Sequence, residues 1–143
     1  MAKKKVCVSF DYEHDKNYYF LLKAWNNNHN IDFSINDCTP REIQSERISK
    51  IKQVLSKKIG EANYMIAIIG KYSYDEHPDS DEIGYINWQA YEIAKNIEKG
   101  NGLVVVKLSN EYCVPIDADD IGAEFVTGFE QSKILDALKK LSK

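Results

Sequence analysis

The most constraining stretch of this 143-residue chain is Tyr64–Ile69, YMIAII, its most apolar run, which stops at Gly70. Such a run reads as a central strand. Lys5–Phe10, KVCVSF, has the same character: Val6, Cys7, Val8 and Phe10 are apolar or β-favouring, with little alternation. Near-continuous apolarity belongs to parallel strands covered on both faces, and parallel strands need crossover helices. The remaining chain must therefore supply amphipathic helices between strands.

It does so in order. A helix is predicted from Asp15 to Asn27 on Tyr18, Leu21, Leu22 and Trp25, ended by Asn26, Asn27, Asn28 and Asn30. Ile31 to Ile35 alternates like a less buried strand. Thr39-Pro40-Arg41-Glu42 forms a capping box with proline at the first helical position. Ile48, Ile51, Leu55 and Ile59 give that helix its core stripe, and Gly60 stands where a left-handed C-terminal residue is expected. Another helix spans Gly84 to Gly100, with Ile86, Ala90, Ile93, Ala94 and Ile97 on one face. Leu103 to Leu108 is a fourth strand and Glu124 to Thr127 a fifth, with Ser109 to Gly122 irregular between them. Glu130 to Leu141 closes the chain as a helix on Ile134, Leu135, Leu138 and Leu141. This succession predicts a flavodoxin-like, doubly wound α/β sheet of five parallel strands, order 2-1-3-4-5, with helices on both faces. With no repeat or linker, residues 1–143 read as a single domain.

Composition narrows the partners. A net charge of -3, from 19 basic and 22 acidic residues, argues against nucleic acid, and Lys3-Lys4-Lys5 is too short for a basic patch. No apolar run reaches the ~20 residues of a membrane helix, and no signal peptide opens the chain, so a cytoplasmic protein is expected. Cys7, Cys38 and Cys113 form no CxxC pair and read as free thiols, with no metal site expected. The five acids of the Lys71–Tyr85 stretch (Asp75, Glu76, Asp79, Asp81, Glu82) read as a solvated loop.

In order 2-1-3-4-5 the switch point lies between strands 1 and 3, whose carboxyl ends carry Ser9-Phe10-Asp11 and Gly70-Lys71-Tyr72-Ser73. The helix holding Trp88 and Glu92 begins just beyond. These two sit one turn apart, away from the apolar stripe and in line with Lys95 and Lys99. On the helix alone, Glu92 is a solvated residue near Lys95 and Trp88 packs under a loop. The switch point offers a second reading, in which Glu92 lies beside a ligand crevice. GxGxxG, GxxxxGK[ST] and GxSxG are all missing, and strand 3 ends in Gly70-Lys71 where a receiver domain would want Asp. Asp11, Glu13 and Asp15 then read as turn and helix-start residues. A carboxylate beside aromatics, with Phe10, Asp11 and Tyr72, suits cleavage of an N-ribosyl bond through an oxocarbenium-like transition state. A cationic leaving group such as the nicotinamide of NAD needs no general acid.

The segments KVCVSFDYEHD, MIAIIGKYSY and WQAYEIAKNIEKGN resemble the TIR-like domain family that includes the signalling subunit of Thoeris antiphage systems. The likeness rests on Ser9-Phe10, Ile69-Gly70, Trp88, Tyr91-Glu92-Ile93 and Glu98-Lys99-Gly100-Asn101, and fades after Leu108. It implies NAD as substrate without a separate cofactor, Glu92 as the catalytic residue, and a pocket with Ser9, Phe10, Asp11, Tyr72, Ser73 and Trp88. It also implies self-assembly and a cyclic ADP-ribose-type signal that reaches a partner effector. The acidic loop is longer than the family connection and could reshape or gate the pocket. Two alternatives stay open: a non-catalytic TIR-like interaction module, and a nucleoside deoxyribosyltransferase-like enzyme.

Overall fold

Tyr64–Ile69 forms the middle strand, β3, and all six of its residues are buried. In the computed structural model, residues 4–25, 33–38, 47–116 and 122–141 are described. Around β3 stand β1 (Lys4–Ser9), β2 (Phe33–Asp37), β4 (Gly102–Lys107) and β5 (Glu124–Thr127). All pair in parallel, in the order β2-β1-β3-β4-β5, as the sequence predicts. The helices are α1 (Tyr12–Ala24), α2 (Ile48–Glu61), α3 (Ser80–Ile83), α4 (Trp88–Glu98) and α5 (Gln131–Leu141).

Because side chains alternate along a strand, each strand feeds two cores. Val6, Val8, Ile66, Ile68, Val104 and Val106 pack with Tyr19 and Leu22 of α1 and Ile134 and Leu138 of α5. On the other face Cys7, Met65, Ala67, Ile69 and Val105 pack with Ile59 of α2 and Ile93 of α4. Helices therefore cover both faces, which is the doubly wound arrangement.

Several local expectations are corrected. α1 starts at Tyr12, three residues early, because Asp11 caps it by accepting the Glu13 N–H at 3.1 Å. Along α1, Tyr19 and Leu22 are buried, whereas Leu21, expected on the core stripe, is 51% exposed. α2 runs past Gly60 to Glu61, and Gly60 does not have a positive φ. What Gly60 supplies is room: a Cβ there would meet the Lys99 side chain at 3.3 Å. The capping box at 39–42, the Asn26–Asn30 helix stop and the start of the second strand at Ile31 lie outside the described residues. Within the acidic stretch, α3 buries Ile83 against Leu55 and Tyr91, so this loop is anchored near its C-terminal end. Cys7 and Cys38 are joined in a disulfide, their Cα atoms 5.5 Å apart, where free thiols were expected. Cys7 pairs in register with Asn36, so Cys38, two residues on, projects to the same sheet face. Cys113 is free and exposed.

Candidate functional site

The carboxyl ends of β1 and β3 diverge into separate crossovers, and a pocket of about 350 Å³ opens there. Phe10 and Asp11 form one wall, Tyr72 and Ser73 a second, and Trp88 and Gln89 of α4 a third. Asn87 assembles the third wall. Its Oδ1 accepts the Ala90 N–H at 2.9 Å and caps α4, while its Nδ2 donates to the carbonyls of Ser73 (2.8 Å) and Asp75 (3.0 Å). The same side chain thus starts the helix and ties down the loop after β3. The acidic loop closes over it, with the His77 N–H donating to the Ile86 carbonyl at 2.7 Å.

Beneath the pocket lies Glu92. It is 1% exposed, and Ser9 Oγ donates to its Oε1 at 2.7 Å. The solvated position read from the helix is therefore wrong. α4 buries two sides at once: Ala90 and Ile93 toward the sheet, and Tyr91 toward α2, where its hydroxyl donates to the Lys52 carbonyl at 3.2 Å. Glu92 falls between them and faces the end of β1. Trp88 is half-buried, edge-on to Tyr91 (5.7 Å) and to His77 (6.5 Å). Of the predicted site residues, Phe10, Asp11, Tyr72, Ser73 and Trp88 line the pocket, whereas Ser9 and Glu92 sit under its floor. Lys95, expected beside Glu92, pairs instead with Glu98 at 2.9 Å.

Three contributors were not singled out from the sequence as site residues. Gln89 is 6% exposed and its Nε2 donates to the carbonyls of Ile68 (2.7 Å) and Ser9 (3.2 Å), bridging β1 and β3. His14 Nδ1 lies 2.7 Å from Asp11 Oδ2, a hydrogen bond that holds the imidazole above its usual value. Its ring stacks on Tyr72 with centroids 3.9 Å apart, joining the β1–α1 turn to the loop after β3. Asp15, read as a helix-start residue, is 6% exposed. Its carboxyl packs against Gly70, where only a residue without Cβ leaves space. Burial first, and then the charge of Asp11, push it up to about 6, with His14 opposing.

The lining is acidic: Asp11, Glu13, Asp75 and Glu76 contribute to it, and among the described lining residues there is no Lys or Arg. That balance favours a cationic guest or a cationic transition state. No group of His, Cys, Asp and Glu among the described residues could hold a metal ion.

A doubly wound domain with a buried carboxylate under an aromatic pocket at its switch point defines the class. Within it, the chain belongs to the family described as Thoeris protein ThsB, TIR-like domain, whose model matches residues 7–112. No curated protein sequence matches the chain. Among solved structures it is similar to a 2-desoxiribosyltransferase from Leishmania mexicana, at 14% identity and TM-score 0.59, covering 95% of this chain and 97% of that one. It is likewise similar to a CMP N-glycosidase from Clostridium botulinum, at 15% identity and TM-score 0.58, covering 96% and 99%. At such identities these likenesses show the shared fold. No helix among the described residues is long and apolar enough to cross a membrane.

Proposed function

We propose that the chain is an NAD-processing enzyme of antiphage defence that cleaves the bond between nicotinamide and ribose. The observation that carries this reading is Glu92, buried beneath an aromatic pocket at the switch point, with Ser9 Oγ on its carboxylate at 2.7 Å. Membership of the Thoeris family supports the defence setting. As the C–N bond breaks, nicotinamide leaves with the bonding pair and becomes neutral, so no acid has to protonate it. Positive charge moves to the ribose carbon and its ring oxygen, where a carboxylate stabilises it. Water then completes hydrolysis with loss of a proton. Attack by an adenine nitrogen instead closes a cyclic ADP-ribose-type signal, read by a partner effector. For Glu92 to reach ribose, its carboxylate must exchange the hydrogen bond from Ser9 for one from a ribose hydroxyl, which requires the pocket lining to shift. The acidic lining supports the reading, since both the pyridinium ring and the transition state are cationic.

The test is NAD turnover, followed by mass spectrometry of the products, in wild-type and Glu92→Gln protein from cells with and without phage challenge. Wild type should release nicotinamide and an ADP-ribose-derived species. Glu92→Gln should lose at least 100-fold in rate, within the range seen when a transition-state charge partner is removed. Equal turnover by both proteins would remove Glu92 from catalysis, and absence of any NAD-derived species under every condition would favour a non-catalytic interaction module.

A further inference from the structure

Gln89 carries one more feature that the N-ribosyl chemistry leaves unused. Its Nε2 is spoken for twice, by the carbonyls of Ile68 at 2.7 Å and Ser9 at 3.2 Å. Those bonds fix which end of the amide is which, because only nitrogen can donate to two carbonyls. The oxygen end is thereby fixed as well, as a pure acceptor. Gln89 Oε1 is buried, yet it has no hydrogen-bond partner among the described residues. The side chain is 6% exposed and also lines the pocket. A buried carbonyl oxygen without a donor is a standing cost to the fold, unless a donor reaches it in another state.

We propose that Gln89 is a specificity-determining residue that reads an N–H donor on the substrate's base, so that the site takes a carboxamide-bearing ring and rejects the corresponding carboxylate. This rests on the proposed nicotinamide–ribosyl reading and names what that reading leaves open, the feature of the ring that is recognised. The chemistry is one-sided. A carboxamide can rotate its NH₂ toward Oε1. A carboxylate has only lone pairs to offer, and it would bring negative charge toward Oε1 and Glu92 together. Because the two backbone carbonyls hold Nε2, Gln89 cannot flip to present a donor instead. Oε1 is buried at the edge of the pocket that Gln89 lines, so contact requires the lining to shift around the ring. Discrimination of this kind exceeds what shape alone provides, because the wrong ring leaves a buried acceptor facing an anion.

The comparison uses the full chain with NAD and with its nicotinic acid counterpart, which differs only in bearing a carboxylate on the ring. Wild-type protein should show kcat/KM at least 100-fold higher for NAD. Gln89→Met, close in size and unable to accept a strong hydrogen bond, should reduce that ratio to under tenfold in protein whose thermal unfolding stays cooperative. Equal kcat/KM for both dinucleotides in wild type would overturn the inference, as would a folded Gln89→Met that keeps the full ratio. Should Gln89→Met not fold, the wild-type ratio decides. If neither dinucleotide is turned over, equilibrium titration separates the two claims. Tighter binding of NAD by at least tenfold supports the role of Gln89 while the catalytic reading fails, and equal or absent binding overturns both.

Discussion

Replacing Asp15 by Asn should make the protein gain stability relative to wild type as pH rises from acid to neutral. Asp15 is 6% exposed, and its Oδ2 has no hydrogen-bond partner among the described residues. Burial and the charge of Asp11 push its carboxyl from 3.8 to about 6. A folded-state value above the unfolded one means that the folded protein binds more protons between those two limits. Stability therefore falls as pH rises through this window, and the loss is complete by about pH 7. Just over two pH units at about 1.36 kcal/mol each put the full penalty at about 3 kcal/mol. Roughly 0.5 kcal/mol of that is already present at pH 4, where the unfolded carboxyl is partly ionised. Asparagine cannot ionise and carries none of it. The stability of Asp15→Asn relative to wild type should therefore rise by about 2.5 kcal/mol between pH 4 and pH 8. Taking the difference between two pH values cancels whatever the amide costs in packing. Urea unfolding of both proteins at pH 4, 5, 6, 7 and 8 measures it, with a change in relative midpoint of about 1 M or more expected for usual urea slopes. Curves that stay parallel within about 0.5 kcal/mol would refute the reasoning, because Asp15 would then ionise in the fold at no cost.

Two further perturbations test the neighbouring contacts. A Cβ at Gly70 would contact Asp15 Oδ2 and fall 2.7 Å from its Cγ, so Gly70→Ala should destabilise by about 2 kcal/mol or more. Adding Asp15→Ala should recover part of that loss, and strict additivity in the double-mutant cycle would show that the obstruction lies elsewhere. The Asp11 hydrogen bond raises His14, so its contribution to stability is present below the ordinary value of 6.5 and is lost as pH rises through the higher folded value. Asp11→Asn should lower the His14 midpoint followed by NMR, and an unchanged midpoint would refute that pairing.

The fold was legible because its strands are written as apolar runs too continuous for anything but a buried parallel sheet, and their order followed from the connections between them. Glu92 was legible as a position, one turn past Trp88 near the switch point, but its burial was not. A helical wheel assumes one contact face, whereas α4 has two, one against the sheet and one where Tyr91 and Ile83 meet Leu55 of α2. Gln89 and Asp15 were missed for a related reason: polar side chains on a helix read as solvated unless something shows where the helix ends meet the sheet. The signal for Asp15 was its place four residues after Asp11, which becomes informative only once Asp11 is known to cap α1. The Cys7–Cys38 pairing depends on β1 and β2 being neighbours and on Asn36 lying opposite Cys7, which a spacing of 31 residues does not convey.

Among the polar groups under and beside the pocket, two carry a cost whose relief says what each is for. Ser9 Oγ donates to Glu92 Oε1 across 83 residues of sequence, which ties the end of β1 to α4. Asp15 Oδ2 and Gln89 Oε1 are not served by any described residue, yet each belongs to a side chain only 6% exposed. A fold shaped by stability alone would place apolar side chains at such positions, since a buried polar atom without a partner is among the costliest things a core can hold. Both lie beside the ends of β1 and β3, which are the backbone elements that shape the pocket. Gln89 resolves its cost when a donor arrives, which makes it a reader of the ligand. Asp15 relieves its own only below about pH 6, by taking up a proton while packed against the glycine from which the loop bearing Tyr72 and Ser73 departs. Stability should therefore respond to Asp15 with a pH signature, and ring selectivity to Gln89 without one, so measurements of unfolding and of turnover will report on different atoms of the same crevice.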